Sequence, residues 1–275
     1  MSILNEIVAR KRLDLQSVKE TYSPSYYEEI EELTPLTPKR SFAEAIKNSL
    51  WGSVIAEFKR RSPSRGWINQ EAKPEKIVPY YAMYGAAALS ILTDTPFFGG
   101  TIEDIRRVRP LVDTPILRKD FIIDEHQVYE SKAVGADAIL LIASCLTTAD
   151  CHRLSRLARR LELEVLLEIH EERELDCICE ATTAIGINNR NLNSFSINLS
   201  NSEKLIKSIP EKFIKVSESG ITNITDILRL REIGFDAFLI GTAFMTADNP
   251  GKACGQMLRK LTNALKKTDE KNVSK

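Results

Sequence analysis

Long apolar runs are missing from this 275-residue chain, and so is any excess of charge. No stretch reaches the roughly 20 apolar residues that a membrane-spanning helix needs. Thirty-eight Lys and Arg balance 38 Asp and Glu, so the formal net charge is zero. Such a balance gives no ground for wholesale binding to nucleic acid or to a membrane surface, although a local basic patch can still hold a small anion. Histidine is scarce: His126, His152 and His170 are scattered, all in or near expected helices. A metal site built from them is not expected. The five cysteines are odd in number and lack a zinc spacing, and Cys177-x-Cys179 reads as helix, where neighbours two apart point to different faces. Reduced structural thiols in a cytosolic protein are the expectation. Glu6 and Asp14 interrupt the N-terminal stretch, so it lacks the apolar centre of a secretion signal. The expected address is the cytoplasm.

What the chain has is rhythm. Apolar residues make up 43% of it, ample for a large core. From Val54 onward eight short apolar runs recur: "VIAEFK", "AALSILT", "TPILRKDF", "AILLIA", "EVLLEI", "AIGINNR", "IKVSESG" and "AFLIGT". Continuous apolar strands without alternation are what a parallel sheet covered on both faces requires. The segments between read as helices. Thr101 with Asp104, and Thr147 with Asp150, have capping-box spacing, and Gly135 and Gly234 stand where helices stop. Eight β–α units in about 250 residues suit a closed (β/α)8 TIM barrel, an α/β fold. An open doubly wound sheet is the rival, but no G-x-G-x-x-G fingerprint follows the first run.

Residues 1–265 are expected to form one barrel domain. Residues 1–50 would be an N-terminal helical extension packed on it, with two helices separated by Pro35 and Pro38. Residues 54–262 would be the barrel proper, and 266–275 a polar, frayed tail.

Active sites of such barrels sit at the carboxyl ends of the strands. Six strands carry polar groups there: Glu57 and Lys59, then Arg118-Lys119-Asp120, Glu168, Asn188 with Arg190, Glu218-Ser219-Gly220, and Gly241-Thr242. Glu57 and Lys59 are two apart and share a strand face. A carboxylate such as Glu168, set among buried apolar residues, needs a partner, and a structural ion pair with a lysine would also satisfy it. Arg60, Arg61 and Arg65 read as solvated loop charges, and Arg190 as ligand or loop support. "SESG" before a helix, with "IGT" on the next strand, reads as a phosphate cradle: N–H groups at Gly220 and Gly241, hydroxyls of Ser219 and Thr242.

The motifs "AEFKRRSPSRG", "LSILTDTPFFGGT", "PILRKDFIIDEHQVYESKAVGADAILLIA", "LLEIHEERE", "GINNRNL", "VSESGI" and "FLIGTAFM" together resemble the indole-3-glycerol phosphate synthase family of tryptophan biosynthesis. The resemblance spans about residues 1–262 and includes the N-terminal extension. Departures are slight: Asn191 stands where aspartate is common, and Thr242 where serine is also seen. The resemblance implies a carboxy-lyase without cofactor or metal. Its substrate is the small molecule 1-(2-carboxyphenylamino)-1-deoxyribulose 5-phosphate. The C2 carbonyl carbon joins the aromatic ring, and carbon dioxide and then water leave. Lys119 is implied as general acid, which it can be if burial or Lys59 lowers its pKa. Glu168 and Lys59 are the candidates for the later acid and base steps, Glu57 orients the lysines, and Asn188 bonds the departing hydroxyl. Arg190 and Lys59 suit the substrate carboxylate, with Glu218, Ser219 and Ser62 near its hydroxyls. Lys59 joins Gly220, Gly241 and Thr242 at the phosphate. Phe98, with Leu92 and Phe121, could sandwich the aromatic ring or be ordinary core. No nucleic-acid or membrane partner is expected, and an encounter with another enzyme of the pathway stays open. A Schiff-base aldolase-type barrel and a non-catalytic phosphate-binding barrel are the competing readings.

Overall fold

The computed structural model describes residues 2–23, 25–27, 29, 40–190 and 199–273; for 199–201 and 268–273 it describes the backbone alone. Pro35, Pro38 and Asn191 lie outside the described residues.

The eight apolar runs form eight strands: β1 Val54–Phe58, β2 Ala88–Leu92, β3 Ile116–Lys119, β4 Ala138–Ile142, β5 Glu164–Ile169, β6 Ala184–Asn188, β7 Ile214–Glu218 and β8 Ala237–Ile240. Each pairs in parallel with its neighbours in sequence, and β8 pairs with β1, so the sheet closes. Parity along each strand then decides everything. Val54, Ala56, Val165, Leu167, Phe238 and Ile240 pack outward against the helices. Ile55, Leu117, Leu140, Leu166, Val216 and Leu239 pack inward in a second cluster. One residue further along the inward series come Glu57, Lys119, Glu168 and Glu218, at the carboxyl end.

The helices start and stop as the local chemistry dictates. Thr101 and Asp104 form a reciprocal capping box, and the Thr147 hydroxyl accepts from the Asp150 N–H. Gly135 (φ +84°) and Gly234 (φ +112°) take the left-handed turn that ends their helices. The last helix runs Pro250–Val273, through most of the stretch expected as tail.

The extension touches both ends of the barrel. Helix Phe42–Lys47 puts Phe42 and Ile46 into the inner cluster beside the first residues of the strands. Glu164 at the start of β5 accepts from Ser41 Oγ and the Ala43 N–H, each at 2.7 Å. Helix Ile3–Thr21 lies at the opposite end, where Ile3, Leu4 and Ile7 line the mouth of a cavity. Its Lys11 reaches Asp94 and Asp120, both at 2.9 Å.

Several expectations are corrected here. Arg60 is no solvated loop charge: its guanidinium grips Asp104 with two bonds (2.5 and 3.0 Å) and donates to the Ala72 carbonyl. Arg61 donates to the Pro96 carbonyl and lies over Trp67. Both tie the loop after β1 to its neighbours. Arg118 does not face the barrel interior with Lys119. Parity sends it outward, where it meets Asp120 (3.1 Å) and Glu130 (2.7 Å); Asp120, just past β3, borders the cavity and meets Lys11 there. The Cys177 region is a 3-10 helix, Glu172–Cys177, with Cys179 beyond its end. All five cysteines are free.

Candidate active site

A cavity of about 410 Å³ opens at the carboxyl ends of the strands. The sequence-derived candidates converge on it: Glu57, Lys59, Ser62, Phe98, Lys119, Glu168, Asn188 and Arg190 line it, as do Glu218, Ser219, Gly220, Gly241 and Thr242. Leu92 and Phe121 line it too, with Phe98 and Phe121 rings 6.0 Å apart. Arg65, read as a loop charge, also faces it.

Lys119 is the hub. Its Nζ lies 3.3 Å from Glu168 Oε2 and 3.3 Å from Glu218 Oε2. On its own, burial would lower the Lys119 ammonium. Glu218, Glu168 and Glu57 outweigh burial and hold it above the ordinary lysine value. The condition of a lowered pKa is therefore not met: the carboxylates on β1, β5 and β7 outweigh burial.

The two carboxylates beside Lys119 are driven apart. Burial pushes Glu218 up to about 8, and the negative charges of Glu168 and Glu57 add to this against Lys119. Burial also opposes charge on Glu168, but Lys119, His170 and the Asn188 amide together hold it below the ordinary carboxylate range. Asn188 Nδ2 donates to Glu168 Oε1 at 3.1 Å. Of the two, Glu218 is the one whose surroundings favour the proton.

Across the cavity Lys59 Nζ sits 2.6 Å from Glu57 Oε1, and Glu57 is only 4% exposed. Two glycines make room for these acids. A Cβ on Gly241 would collide with Glu57, and one on Gly186 with Glu218. Gly241 was expected only as a phosphate contact, and Gly186 was not singled out at all.

His170 was also missed as part of the site. It follows β5 on the inward parity, with Nε2 3.3 Å from Glu168 Oε1 and Nδ1 3.8 Å from Glu174 Oε2. Burial opposes its charge, but Glu174 and Glu168 raise its pKa above the ordinary histidine value. The i, i+2 spacing of Glu168 and His170 was the available signal. Arg190 donates its backbone N–H to Asn188 Oδ1 at 3.0 Å; burial, with Arg65 nearby, lowers its guanidinium.

At the far side, Ser219 (φ +68°) and Gly220 (φ +79°) form a left-handed turn after β7. The helix that follows, Ile224–Ile233, is closed by its own cap, since Asn223 accepts from Thr225 and Asp226. An anion here would meet the loop, not that helix terminus. Among the described residues no group of His, Cys, Asp and Glu is placed to hold a metal ion. Nor, among them, is any helix long and apolar enough to cross a membrane.

Comparisons with known proteins agree with this fold. Among solved structures, tryptophan synthase subunit alpha from Legionella pneumophila superposes with a TM-score of 0.60 at 14% identity, covering 82% of this chain and 97% of that one. Thiamine phosphate pyrophosphorylase from Pyrococcus furiosus gives 0.57 at 18% identity, covering 78% and 98%. At such identities the likeness concerns the fold alone. Sequence similarity goes further. An indole-3-glycerol phosphate synthase from Bacteroides thetaiotaomicron is 50% identical over 94% of this chain and 98% of its own length. One from Polaromonas naphthalenivorans is 43% identical over 93% and 98%. The family model described as indole-3-glycerol phosphate synthase matches residues 4–257. The chain belongs to the indole-3-glycerol phosphate synthase family.

Proposed function

We propose that this protein closes the indole ring of 1-(2-carboxyphenylamino)-1-deoxyribulose 5-phosphate, releasing carbon dioxide and water, by general acid–base catalysis. The observation that carries this reading is Lys119 clamped 3.3 Å from both Glu168 and Glu218 on the floor of one cavity. The Lys119 ammonium, positioned by Glu168 and Glu218, is the proton donor to the carbonyl oxygen as the ring attacks. A positioned acid of this kind contributes roughly 10²–10⁴-fold.

The remaining roles follow from charge and reach. Glu168, kept ionised, suits the base that removes the proton during dehydration. Lys59, paired with Glu57, suits the donor to the departing hydroxyl, which Asn188 also reaches. Arg190 and Lys59 suit the substrate carboxylate, where two cationic donors match two oxygens. Glu218, Ser219 and Ser62 border the sugar hydroxyls. Phe98, Leu92 and Phe121 offer the apolar walls for the aromatic ring. Gly220, Gly241 and Thr242 suit the phosphate.

A Schiff-base aldolase reading needs a neutral lysine nucleophile. The raised pKa of Lys119 speaks against that lysine as the nucleophile, and Lys59, the other candidate, is ion-paired with Glu57. Borohydride in the presence of substrate would trap a covalent adduct on that reading and none on ours. A barrel that only binds phosphate predicts saturable binding without indole fluorescence. Turnover of the carboxyphenylamino substrate, followed by product fluorescence, separates the three. A cytoplasmic address is part of the same proposal, supported by five unpaired thiols. So is work alongside other enzymes of tryptophan biosynthesis, which co-purification from cell extract would test.

A further inference from the structure

We propose that Asn189 is a positioning residue: its buried carboxamide aims the turn after β7 at the substrate phosphate. The inference rests on the reading of that turn as the phosphate site.

Asn189 sits between two cavity residues, Asn188 and Arg190, yet does not line the cavity. Strand parity turns it to the outer side of the barrel, where it is 3% exposed. There its side chain is fully engaged. Nδ2 donates to Ser217 Oγ at 3.0 Å and to the Ser219 carbonyl at 2.9 Å. Oδ1 accepts from Ser202 Oγ. Its backbone N–H donates to the Glu218 carbonyl at 2.9 Å. A carboxamide supplies two N–H donors and an acceptor, and all are used here.

The consequence lies in the next peptide plane. Ser219 holds φ +68°, a region that non-glycine residues keep only when their surroundings over-determine it. In a trans peptide the carbonyl of Ser219 and the N–H of Gly220 point in opposite directions. By drawing the Ser219 carbonyl outward, Asn189 turns the Gly220 N–H inward, toward the cavity that Gly220 lines. Among the described residues no acceptor meets that N–H. A serine or alanine at 189 could not reach the carbonyl. An aspartate keeps the shape but replaces both donors with an acceptor set against the Ser219 oxygen.

The test is steady-state kinetics of Asn189→Asp, with inorganic phosphate as a competing probe. The expected result is a rise of about tenfold in both the substrate KM and the phosphate inhibition constant, the scale of one charge-assisted hydrogen bond. The turnover number stays nearly unchanged, the mark of lost binding common to ground and transition states. Asn189→Ser, which buries no charge, is read instead if the aspartate variant does not melt cooperatively. Phosphate that fails to compete in the unaltered protein overturns the reading of the turn and the proposal with it. Competition there, with both constants unmoved in a folded variant, overturns the proposal alone. So does a fall in turnover number at unchanged KM.

Discussion

Gly186 on β6 and Glu218 on β7 are matched to each other: a Cβ on Gly186 would overlap Oε1 of Glu218. The glycine is not there for backbone freedom, since its φ is not in the left-handed region. It is there because the acid needs the space. Gly186→Ala is expected to push Glu218 off its 3.3 Å contact with Lys119. Overpacking of this kind costs about 1–3 kcal/mol. A cooperative melt at lowered Tm, with turnover reduced tenfold or more on the scale of a disturbed acid–base group, is the expected outcome. Full activity in the variant would show that Glu218 does not need this position.

Glu218 also sets a pH dependence of stability. Its pKa in the folded protein is about 8, above the ordinary 4.5. The folded state therefore holds the proton that the unfolded state has released, and stability falls as pH rises between those values. Below 4.5 both states are protonated and the penalty is absent; above 8 it is complete. Lys119, raised from an already high value, stays charged in both states across this window. Glu218→Gln removes the titration. Its Tm relative to the unaltered protein is expected to climb from pH 4.5 to pH 8.5. A constant difference across that range would place the proton elsewhere.

Much of this site was legible in the sequence because strand parity is rigid. Once eight runs close a barrel, Glu57 with Lys59, Lys119, Glu168 and Asn188 must share the interior with Glu218. Parity also explains the errors. Arg118 precedes Lys119 in the strand and so points away from it. Asn189 was hidden by the same rule, between two residues that face the cavity. What sequence could not supply was contact across strands. Gly186 matters only because Glu218 lies beside it on another strand. Lys11 matters only because the extension folds back to Asp94 and Asp120. The sign of the Lys119 shift needed three carboxylates from three strands, and no local motif joins them.

The Lys11 contact makes the extension part of the site. Asp120, for which Lys11 and Arg118 outweigh burial, is held well below the ordinary carboxylate range. Lys11→Ala leaves buried Asp94 and Asp120 without that cation. Breaking a buried pair costs about 3 kcal/mol at the low end. A loss of this size in urea unfolding is expected, with a raised KM, because Ile3, Leu4 and Ile7 on the same helix line the cavity. An unchanged KM would mean that the helix is scaffold alone. The folded-state pKa of Asp120 is depressed, so its contribution is present above the ordinary value of 3.8 and is lost as pH falls through that depressed value.

Arg60 gives a control outside the chemistry. It ties the loop after β1 to Asp104 and to the Gly99 carbonyl. Arg60→Lys keeps the charge but not the two-pronged grip on Asp104. Lower thermal stability with turnover number retained is the expected result. A variant that melts normally but turns over a hundredfold more slowly would move Arg60 into the catalytic group.

The most direct test is the turnover number and KM of Lys119→Met, measured by indole fluorescence on the carboxyphenylamino-deoxyribulose phosphate. The account predicts a fall in turnover of roughly 10²–10⁴-fold with a much smaller change in KM, because the lysine acts in the transition state rather than in binding. A folded variant with an unchanged turnover number would contradict it, and would leave the proton for ring closure to come from another group.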